Sequence, residues 1–240
     1  MSQLVLVRHG RSIWNAANRF TGWVDVPLDE SGINEARHVG NLLKDIEINF
    51  IFSSMLIRAQ MTALISLSYH NSGATPILVD TSKPPPQKNN FSKVKWNNYS
   101  EEAKDVDFFQ IQCDERLNER YYGALAGLNK DKMRAVHGFE QVQKWRRSWD
   151  VSPPSGESLK ETVDRVKPFF AECIVPKLES SSSVVVFAHG NSLRGIVKII
   201  ENIADEEISS LEIPTGVPWK YNWLSRKSTP MAQRIDDTIH

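Results

Sequence analysis

Two short stretches of the sequence end a run of apolar residues in the same way. LVLVRHG occupies residues 4–10, and VVVFAHG occupies residues 184–190. Because the apolar residues in each run are continuous rather than alternating, both runs are typical of strands buried on both faces of a parallel sheet. Each run then ends at a histidine followed by a glycine. This repeated ending constrains the fold more than any other feature of the chain.

Predicted strands and helices alternate along most of the sequence. The predicted strands are QLVLV (3–7), NFIFSS (49–54), PILV (76–79) and VVVFA (184–188). Apolar residues at helical spacing predict helices over 31–46, 55–70 and 130–149, from Ser155 or Ser158 onward with a bend at Pro168, and from about Ser192. This order predicts an α/β fold with a mostly parallel sheet and helices on both faces.

Residues 81–110 interrupt the alternation. They begin TSKPPPQKNN, with three consecutive prolines, and continue with many polar residues. Such a composition leaves few apolar side chains to bury, so it predicts a polar surface insertion at about 81–110. Strands and helices resume in the same style afterwards. We therefore expect one catalytic domain over residues 1–240 rather than a domain boundary at the insertion.

The composition narrows the classes of partner. The chain carries 29 lysines and arginines and 29 aspartates and glutamates. A formal net charge of zero gives no basic field for nucleic acid or an acidic membrane, so any anion site must be local. Cys113 and Cys173 show no metal-ligand spacing, and no apolar run suits a signal peptide or a membrane span. We expect a cytoplasmic protein with no metal, no nucleic-acid partner and no membrane partner.

The two histidine-glycine endings predict a ligand site. In open α/β sheets ligands bind at the carboxyl ends of the strands, which is where His9 and His189 lie. Either histidine alone would be an ordinary hydrogen-bonded residue at a strand end. The pair, with Arg8 beside His9 and Arg58 one turn into the helix after the second strand, favours a phosphoryl-transfer site. Neutral imidazole is a nucleophile, and arginines stabilise the charge on phosphoryl oxygens.

Longer motifs make this interpretation more specific, because they resemble the cofactor-dependent phosphoglycerate mutases of the histidine phosphatase superfamily. The matching stretches are LVRHGRSIWNAANRFTGWVDVPLDESG, SSMLIRAQMTA, LNERYYGALAGLNK, WRRSWDVSPPSGESLKETVDRV, AHGNSLRGIVK and IPTGVPWKY. They extend from residue 3 to about 223 in the order that the family has. RHG alone would be a weak signal, whereas this series of motifs is highly specific.

The resemblance implies roles for individual residues. It implies that His9 is the nucleophile that becomes phosphohistidine, that Glu119 donates and accepts the proton of the substrate hydroxyl, and that three residues hold the transferring phosphoryl group: Arg8, Arg58 and His189. The substrate-binding residues that it implies are Ser12, Asn15, Thr21, Gly22, Tyr122, Lys130, Arg146, Arg147, Gly190 and Asn191.

The same resemblance implies the reaction. It is the interconversion of 3-phosphoglycerate and 2-phosphoglycerate in glycolysis and gluconeogenesis, with 2,3-bisphosphoglycerate as priming phosphate donor and without a metal. The partner is then a small-molecule substrate. Whether the protein forms a homo-oligomer stays open. Two alternatives also stay open. One is a phosphatase of the same superfamily, which hydrolyses a small phosphorylated metabolite because water attacks the phosphohistidine of the enzyme. The other is a non-catalytic paralogue that binds acidic metabolites or a protein.

Two positions pose questions that the sequence leaves open. Arg11 stands where the family has an acidic or amide residue, and it would either bind phosphate, disturb the site or point to solvent. Glu119 has opposing influences on its pKa, since burial raises the pKa of a carboxyl group and nearby arginines lower it. Without its motif, Glu119 would be interpreted as a surface partner of Arg116 or Arg120.

Overall fold

A seven-stranded sheet forms the centre of the protein in a computed structural model that describes residues 2–80, 107–224 and 227–230. Its strands are β1 (Gln3–Arg8), β2 (Phe50–Ser53), β3 (Thr75–Asp80), β4 (Phe108–Cys113), β5 (Val184–Ala188), β6 (Trp219–Asn222) and β7 (Lys227–Pro230). Their order across the sheet is β3-β4-β2-β5-β1-β6-β7. Neighbours from β3 to β1 pair in parallel, whereas β6 and β7 are antiparallel.

The four predicted strands are confirmed as β1, β2, β3 and β5, and the predicted fold class is confirmed with them. The predicted insertion is wrong over residues 108–110, because β4 begins at Phe108 and pairs with β2 and β3. Only Ile111 and Cys113 of β4 are buried, so its apolar pattern was too weak to predict a strand. Residues 81–106 lie outside the described residues, and a single catalytic domain over 1–240 stays a prediction.

Eight α-helices connect the strands within the described part of the chain. They are α1 (Ile13–Ala16), α2 (Glu30–Leu43), α3 (Ile57–Leu67), α4 (Lys130–His137), α5 (Phe139–Arg147), α6 (Leu159–Phe169), α7 (Val175–Glu179) and α8 (Gly190–Glu201). A π-helical turn, Phe170–Ile174, joins α6 to α7 two residues after Pro168. None of the helices described is long and apolar enough to cross a membrane.

One predicted helix is divided in two, and the structure decides between the two proposed starts of another and locates the start of the last. The predicted helix over 130–149 is two helices, because Gly138 adopts a φ of 82° between them. Ser155 has a positive φ and starts no helix, whereas Ser158 caps α6 in a capping box with Glu161. The last helix begins at Gly190, two residues before the predicted start at Ser192.

Helices cover both faces of the sheet. On one face, Leu6 and Val186 pack in a core cluster with residues of α6 and α8. On the other face, Val7 and Val185 pack with residues of α2 and α3. Every residue of β5 is buried, because successive side chains meet helices on opposite sides. This double burial explains why the apolar runs in the sequence are continuous.

The register of the two central strands brings the histidine-glycine endings together. In the parallel pairing of β1 with β5, Arg8 lies opposite Ala188. The next residue of each strand is a histidine, and the backbone N–H of His9 donates to the carbonyl oxygen of Ala188 at 3.0 Å. Parallel strands end at the same edge of a sheet, so the fold places both histidines at one edge.

Candidate active site

His9 and His189 lie side by side at the carboxyl edge of the sheet. Their ring centroids are 4.9 Å apart, with the ring planes inclined by 58°. Both residues are buried, His9 with 3% of its surface exposed and His189 with none. The prediction that the two strand ends would form one site therefore agrees with their positions.

The hydrogen bond of His9 determines which ring nitrogen can react. Its Nδ1 lies 2.7 Å from the carbonyl oxygen of Gly10, and a carbonyl only accepts, so Nδ1 carries the hydrogen. Nε2 is then left with a lone pair. Burial and the charges of Arg58 and Arg8 hold the pKa of His9 well below its ordinary value, although the Gly10 carbonyl acts in the opposite direction. His9 is thus neutral near pH 7, and the neutral imidazole can act as a nucleophile.

His189 is also neutral. Its Nε2 lies 2.7 Å from the hydroxyl oxygen of Ser54, which follows β2. Burial lowers the pKa of His189 well below its ordinary value, and the charges of Arg58 and Arg8 act in the same direction. The positive charge that an anion would meet here comes from the arginines, so the histidines need not add a proton.

Arg8 and Arg58 bring the nearest charges. Arg8 Nη1 donates to the carbonyl of Ile213 at 2.8 Å, and Arg58 donates to the carbonyls of Val24 and Gly22 at 3.0 and 2.7 Å. These bonds involve one terminal nitrogen of Arg8 and both terminal nitrogens of Arg58. The Nε of each is buried without a hydrogen-bond partner among the described residues. Burial lowers the pKa of Arg58 to about 10, so Arg58 stays charged at neutral pH.

Ser12 and Asn15 cap helix α1 together. The Ser12 hydroxyl donates to Asn15 Oδ1 at 2.9 Å, and the Ser12 backbone N–H donates to the same oxygen at 3.1 Å. Asn15 lines the cleft described below, whereas Ser12 is fully buried behind it. The amide nitrogen of Asn15 is thus the end left for a ligand, and Ser12 orients it.

Glu119 is buried in the site, and its partners are not the arginine side chains that the sequence offered as alternatives. Its Oε1 accepts hydrogen bonds from the backbone N–H of Arg120 and from the side chain of Asn191, at 2.7 and 2.8 Å. Burial raises the pKa of Glu119, but these hydrogen bonds and the charges of Arg8 and Arg58 outweigh it. The pKa lies below its ordinary value, so Glu119 is ionised in the protein without substrate.

Thr21 and Gly22, which follow helix α1 in the chain, also line the cleft. Thr21 Oγ1 is buried and has no hydrogen-bond partner among the described residues. Gly22 adopts a φ of 56°, and a Cβ there would lie 3.0 Å from the backbone nitrogen of Tyr122. The Gly22 carbonyl accepts a hydrogen bond from Arg58, so this left-handed turn also orients the guanidinium group.

A second group of basic side chains comes from α4 and α5. A small cluster of Phe20, Leu125 and Val142 packs beneath these two helices. The residues that it supports over the cleft are Tyr122, Lys130, Arg146 and Arg147. Burial and the neighbouring Arg146 lower the pKa of Lys130, and Tyr122 offsets part of that effect. The pKa values of adjacent cations fall in this way where positive charge is concentrated.

These residues line one cleft. All the predicted site residues except Ser12 and His189 contribute to its wall, including Gly190 and Asn191 at the start of α8. Among the described residues, seven arginines and lysines but only two carboxylates line it. The net charge of the whole chain is zero, so this excess of positive charge is confined to the cleft, as the composition required of any anion site.

Three charged residues of the cleft were missed by the sequence analysis: Arg19, Arg194 and Glu212. Arg194 lies three residues after Asn191 on α8, and its Nη1 donates to Asn191 Oδ1 at 3.0 Å. That helical spacing was the signal that could have revealed it. Glu212 pairs with Arg147 and lies 3.5 Å from Arg194, but nothing in its sequence context pointed to the cleft.

Arg11 does not line the cleft. Its Nε donates to Asp29 at 2.7 Å, and Asp29 caps helix α2 by accepting from the N–H of Gly32. Of the three alternatives for Arg11, the structure agrees with the one that directs it away from the ligand. In the described part of the chain, no group of three or more histidine, cysteine, aspartate or glutamate side chains is arranged to hold a metal ion.

Parallel strands ending in paired histidines, with arginines around them, define a class of phosphoryl-transfer protein. The family model described as "Histidine phosphatase superfamily (branch 1)" matches residues 4–81 and 100–227. The chain belongs to this superfamily. Within it, curated relatives of the chain carry the name 2,3-bisphosphoglycerate-dependent phosphoglycerate mutase.

Three such relatives show the extent of the similarity. The protein from Chlamydia abortus is 46% identical over 93% of this chain and 94% of its own length. The protein from Chlamydia trachomatis serovar L2b is 42% identical over 98% of this chain and 100% of its own. The protein from Protochlamydia amoebophila is 44% identical over 93% and 96%.

Solved structures share the fold at lower sequence identity. A mycobacterial glucosyl-3-phosphoglycerate phosphatase superposes with a TM-score of 0.68 at 22% identity, covering 92% of each chain. The α-ribazole phosphatase from Shigella flexneri gives a TM-score of 0.66 at 19% identity, covering 95% of this chain and 94% of its own. These similarities support the α/β fold.

Proposed function

We propose that the protein is a 2,3-bisphosphoglycerate-dependent phosphoglycerate mutase, which interconverts 3-phosphoglycerate and 2-phosphoglycerate in glycolysis and gluconeogenesis. Relatives with this name are 42–46% identical over nearly the whole chain. The proposal includes a small-molecule substrate as the partner. It also includes a cytoplasmic location, which the low count of two cysteines in the sequence supports.

The observation that carries the proposal is the second cationic group in the cleft. Arg8, Arg58 and the start of α8 surround His9, where one phosphoryl group would be transferred. Lys130, Arg146 and Arg147 line the same cleft and come from α4 and α5. A phosphoglycerate carries about three negative charges, counting up to two for its phosphate and one for its carboxylate. A site that acts on one phosphate alone would need only the cationic residues around His9.

In the proposed reaction, His9 carries a phosphoryl group on Nε2 and exchanges it with the substrate. Arg8 and Arg58 hold the group during transfer, because charge collects on its oxygens while the bond to nitrogen lengthens. Asn15 and the backbone N–H of Gly190 add hydrogen bonds. His189, packed against His9, fixes the position of the group, and Glu119 takes the proton of the attacking hydroxyl.

The residues present also fit 2,3-bisphosphoglycerate. Bound there, this compound supplies the phosphoryl group that first loads His9. The side chains that would hold its second phosphate and its carboxylate include Lys130, Arg146, Arg147 and Thr21. The buried Nη1 of Arg147 and Oγ1 of Thr21 have no hydrogen-bond partner among the described residues, so both have capacity for an anion's oxygens.

A coupled assay tests the proposal. Conversion of 3-phosphoglycerate to 2-phosphoglycerate is followed with and without added 2,3-bisphosphoglycerate, and released phosphate is measured in parallel. We expect rapid isomerisation that depends on the bisphosphate, with little phosphate released. Release of phosphate without isomerisation would overturn the mutase proposal in favour of a phosphatase. Absence of both activities would favour a non-catalytic binding protein.

A further inference from the structure

The hydrogen bonds of Glu119 distinguish its two carboxylate oxygens. Its Oε1 accepts from the backbone N–H of Arg120 at 2.7 Å, from Asn191 Nδ2 at 2.8 Å and from the backbone N–H of Asn191 at 3.3 Å. All the hydrogen bonds recorded for this carboxylate in the described residues end on Oε1. An oxygen that already accepts three hydrogen bonds is a poor site for a proton. Oε2 is then the oxygen available to a substrate in the cleft.

Arg194 determines how the amide of Asn191 is oriented. Its Nη1 lies 3.0 Å from Asn191 Oδ1, and a guanidinium group can only donate. The contact atom of Asn191 must therefore be the oxygen, which leaves the amide nitrogen facing Glu119. Arg194 itself is held in place, since its Nε donates to the carbonyl of Leu211 at 2.6 Å and its side chain is only 8% exposed.

We propose that Arg194 is a positioning residue that acts through Asn191 to present Oε2 of Glu119 to the substrate hydroxyl. This inference rests on the proposed mutase function, in which Glu119 exchanges a proton with the substrate. Arg194 is distinct from the residues that the sequence motifs assigned to the site. Its contribution is to keep Oε1 occupied by the amide of Asn191 and to keep the carboxylate ionised.

In the proposed step, Oε2 of Glu119 is the only acceptor of the proton, and every bond that forms is matched by one that breaks. The substrate hydroxyl oxygen forms a bond to phosphorus as the bond between phosphorus and His9 Nε2 breaks, and the bonding electrons return to Nε2. The hydroxyl proton moves to Oε2 of Glu119. In the return direction Oε2 gives this proton back to the leaving oxygen. A general base in this role must be ionised before each attack.

Several charged groups face Glu119 from the elements around it. Arg8 extends from β1 and Arg58 from α3, and both lower the pKa of Glu119. Tyr122 and Arg194 interact with the same carboxylate, Arg194 from α8. Removing Arg194 takes away one of these charges and frees the amide of Asn191 to rotate. Both changes raise the pKa of Glu119, while Arg8 and Arg58 remain.

The direct test is a ¹³C NMR titration of the Glu119 carboxyl group in substrate-free protein, with E119Q used to assign the signal. In Arg194→Met we expect the pKa of Glu119 to rise by about one unit. The matched control is Arg147→Met, which removes a charge from the same cleft but has no contact with Asn191. The control should leave the pKa of Glu119 nearly unchanged and weaken substrate binding.

Asn191→Ala provides a second variant if Arg194→Met folds poorly. It should also raise the pKa of Glu119, and the double variant should show no further rise beyond that of Arg194→Met, because the amide of Asn191 is oriented by Arg194. The acid limb of kcat/KM should move to higher pH in the same variants. An unchanged Glu119 pKa in folded Arg194→Met and Asn191→Ala would overturn the inference. Since the titration needs no substrate, this failure is distinguishable from a failure of the mutase proposal.

Discussion

At the scale of residues, the site depends on which atoms are already hydrogen-bonded. The Gly10 carbonyl fixes the hydrogen of His9 on Nδ1, and three donors occupy Oε1 of Glu119. The motifs predicted these residues but not which of their atoms is left to react, since that depends on contacts between distant segments. Glu212 illustrates the limit. It lies in the cleft beside Arg147 and Arg194, although no local pattern distinguishes it from a surface glutamate.

Glu212 leads to a prediction about substrate affinity. Its carboxylate pairs with Arg147, so it competes with an incoming anion for that guanidinium group. Because the pair is partly exposed, its contribution is modest. We expect Glu212→Gln to lower the KM for 3-phosphoglycerate about two- to fivefold at low salt, with little change in kcat. Glu206→Gln, an exposed residue outside the cleft, is the control for charge alone. A higher KM in Glu212→Gln would show instead that Glu212 assists binding.

At the scale of elements, the connection between β1 and α2 holds the nucleophile in place. The start of α2 lies so close to the turn after His9 that a Cβ on Gly32 would be 2.0 Å from the carbonyl oxygen of Arg11. Asp29 caps α2 and pairs with Arg11, which ties the turn to the helix. The sequence predicted β1 from its continuous apolar run and α2 from its helical periodicity. It could not predict this close approach, because the approach depends on how the two elements pack.

Gly32→Ala tests the importance of that packing. The added methyl group must push α2 away from the turn, since its neighbours are backbone atoms. We expect a loss of at least about 2 kcal/mol of unfolding free energy together with a large loss of kcat/KM. Urea denaturation and steady-state kinetics measure the two effects. Asn34→Ala, on the exposed side of the same helix, should change neither by much. Wild-type stability in Gly32→Ala would contradict the account of this contact.

At the scale of the whole molecule, the sequence predicted the strands that are buried on both faces better than the half-exposed ones. β1 and β5 are buried on both faces, so their apolar runs were unmistakable. β4 is half exposed, and its FFQIQC sequence follows directly on a polar segment, so its first three residues were assigned to the insertion and the strand was missed. β6 was missed because only one of its four residues, Tyr221, is buried. This antiparallel strand therefore depends on its pairing with β1 rather than on a local pattern.

Two buried neutral histidines give the molecule a predicted pH dependence of stability. Unfolded histidine titrates near pH 6.5, whereas His9 and His189 have lower pKa values in the folded protein. Below pH 6.5 the unfolded chain then binds more protons, so the free energy of unfolding falls as pH falls. The limiting slope is about 1.4 kcal/mol per pH unit for each histidine.

Urea denaturation between pH 7.5 and 5.5 measures this slope. A variant with His9→Asn and His189→Asn should show a flatter dependence than the wild type over the same range. His137→Asn, at an exposed position, should keep the wild-type slope. An equally steep slope in the double variant would mean that other groups cause the acid destabilisation.

The most direct test of the central claim is to identify the phosphorylated atom. The protein is incubated with 2,3-bisphosphoglycerate, denatured in alkali to preserve phosphohistidine, and examined by ³¹P NMR and by mass spectrometry of its peptides. The account predicts one phosphohistidine, at His9 and on Nε2, because Nδ1 donates to the Gly10 carbonyl. His9→Ala should show none. Phosphorylation on Nδ1 or at another residue, or isomerisation without any phosphohistidine, would contradict the account.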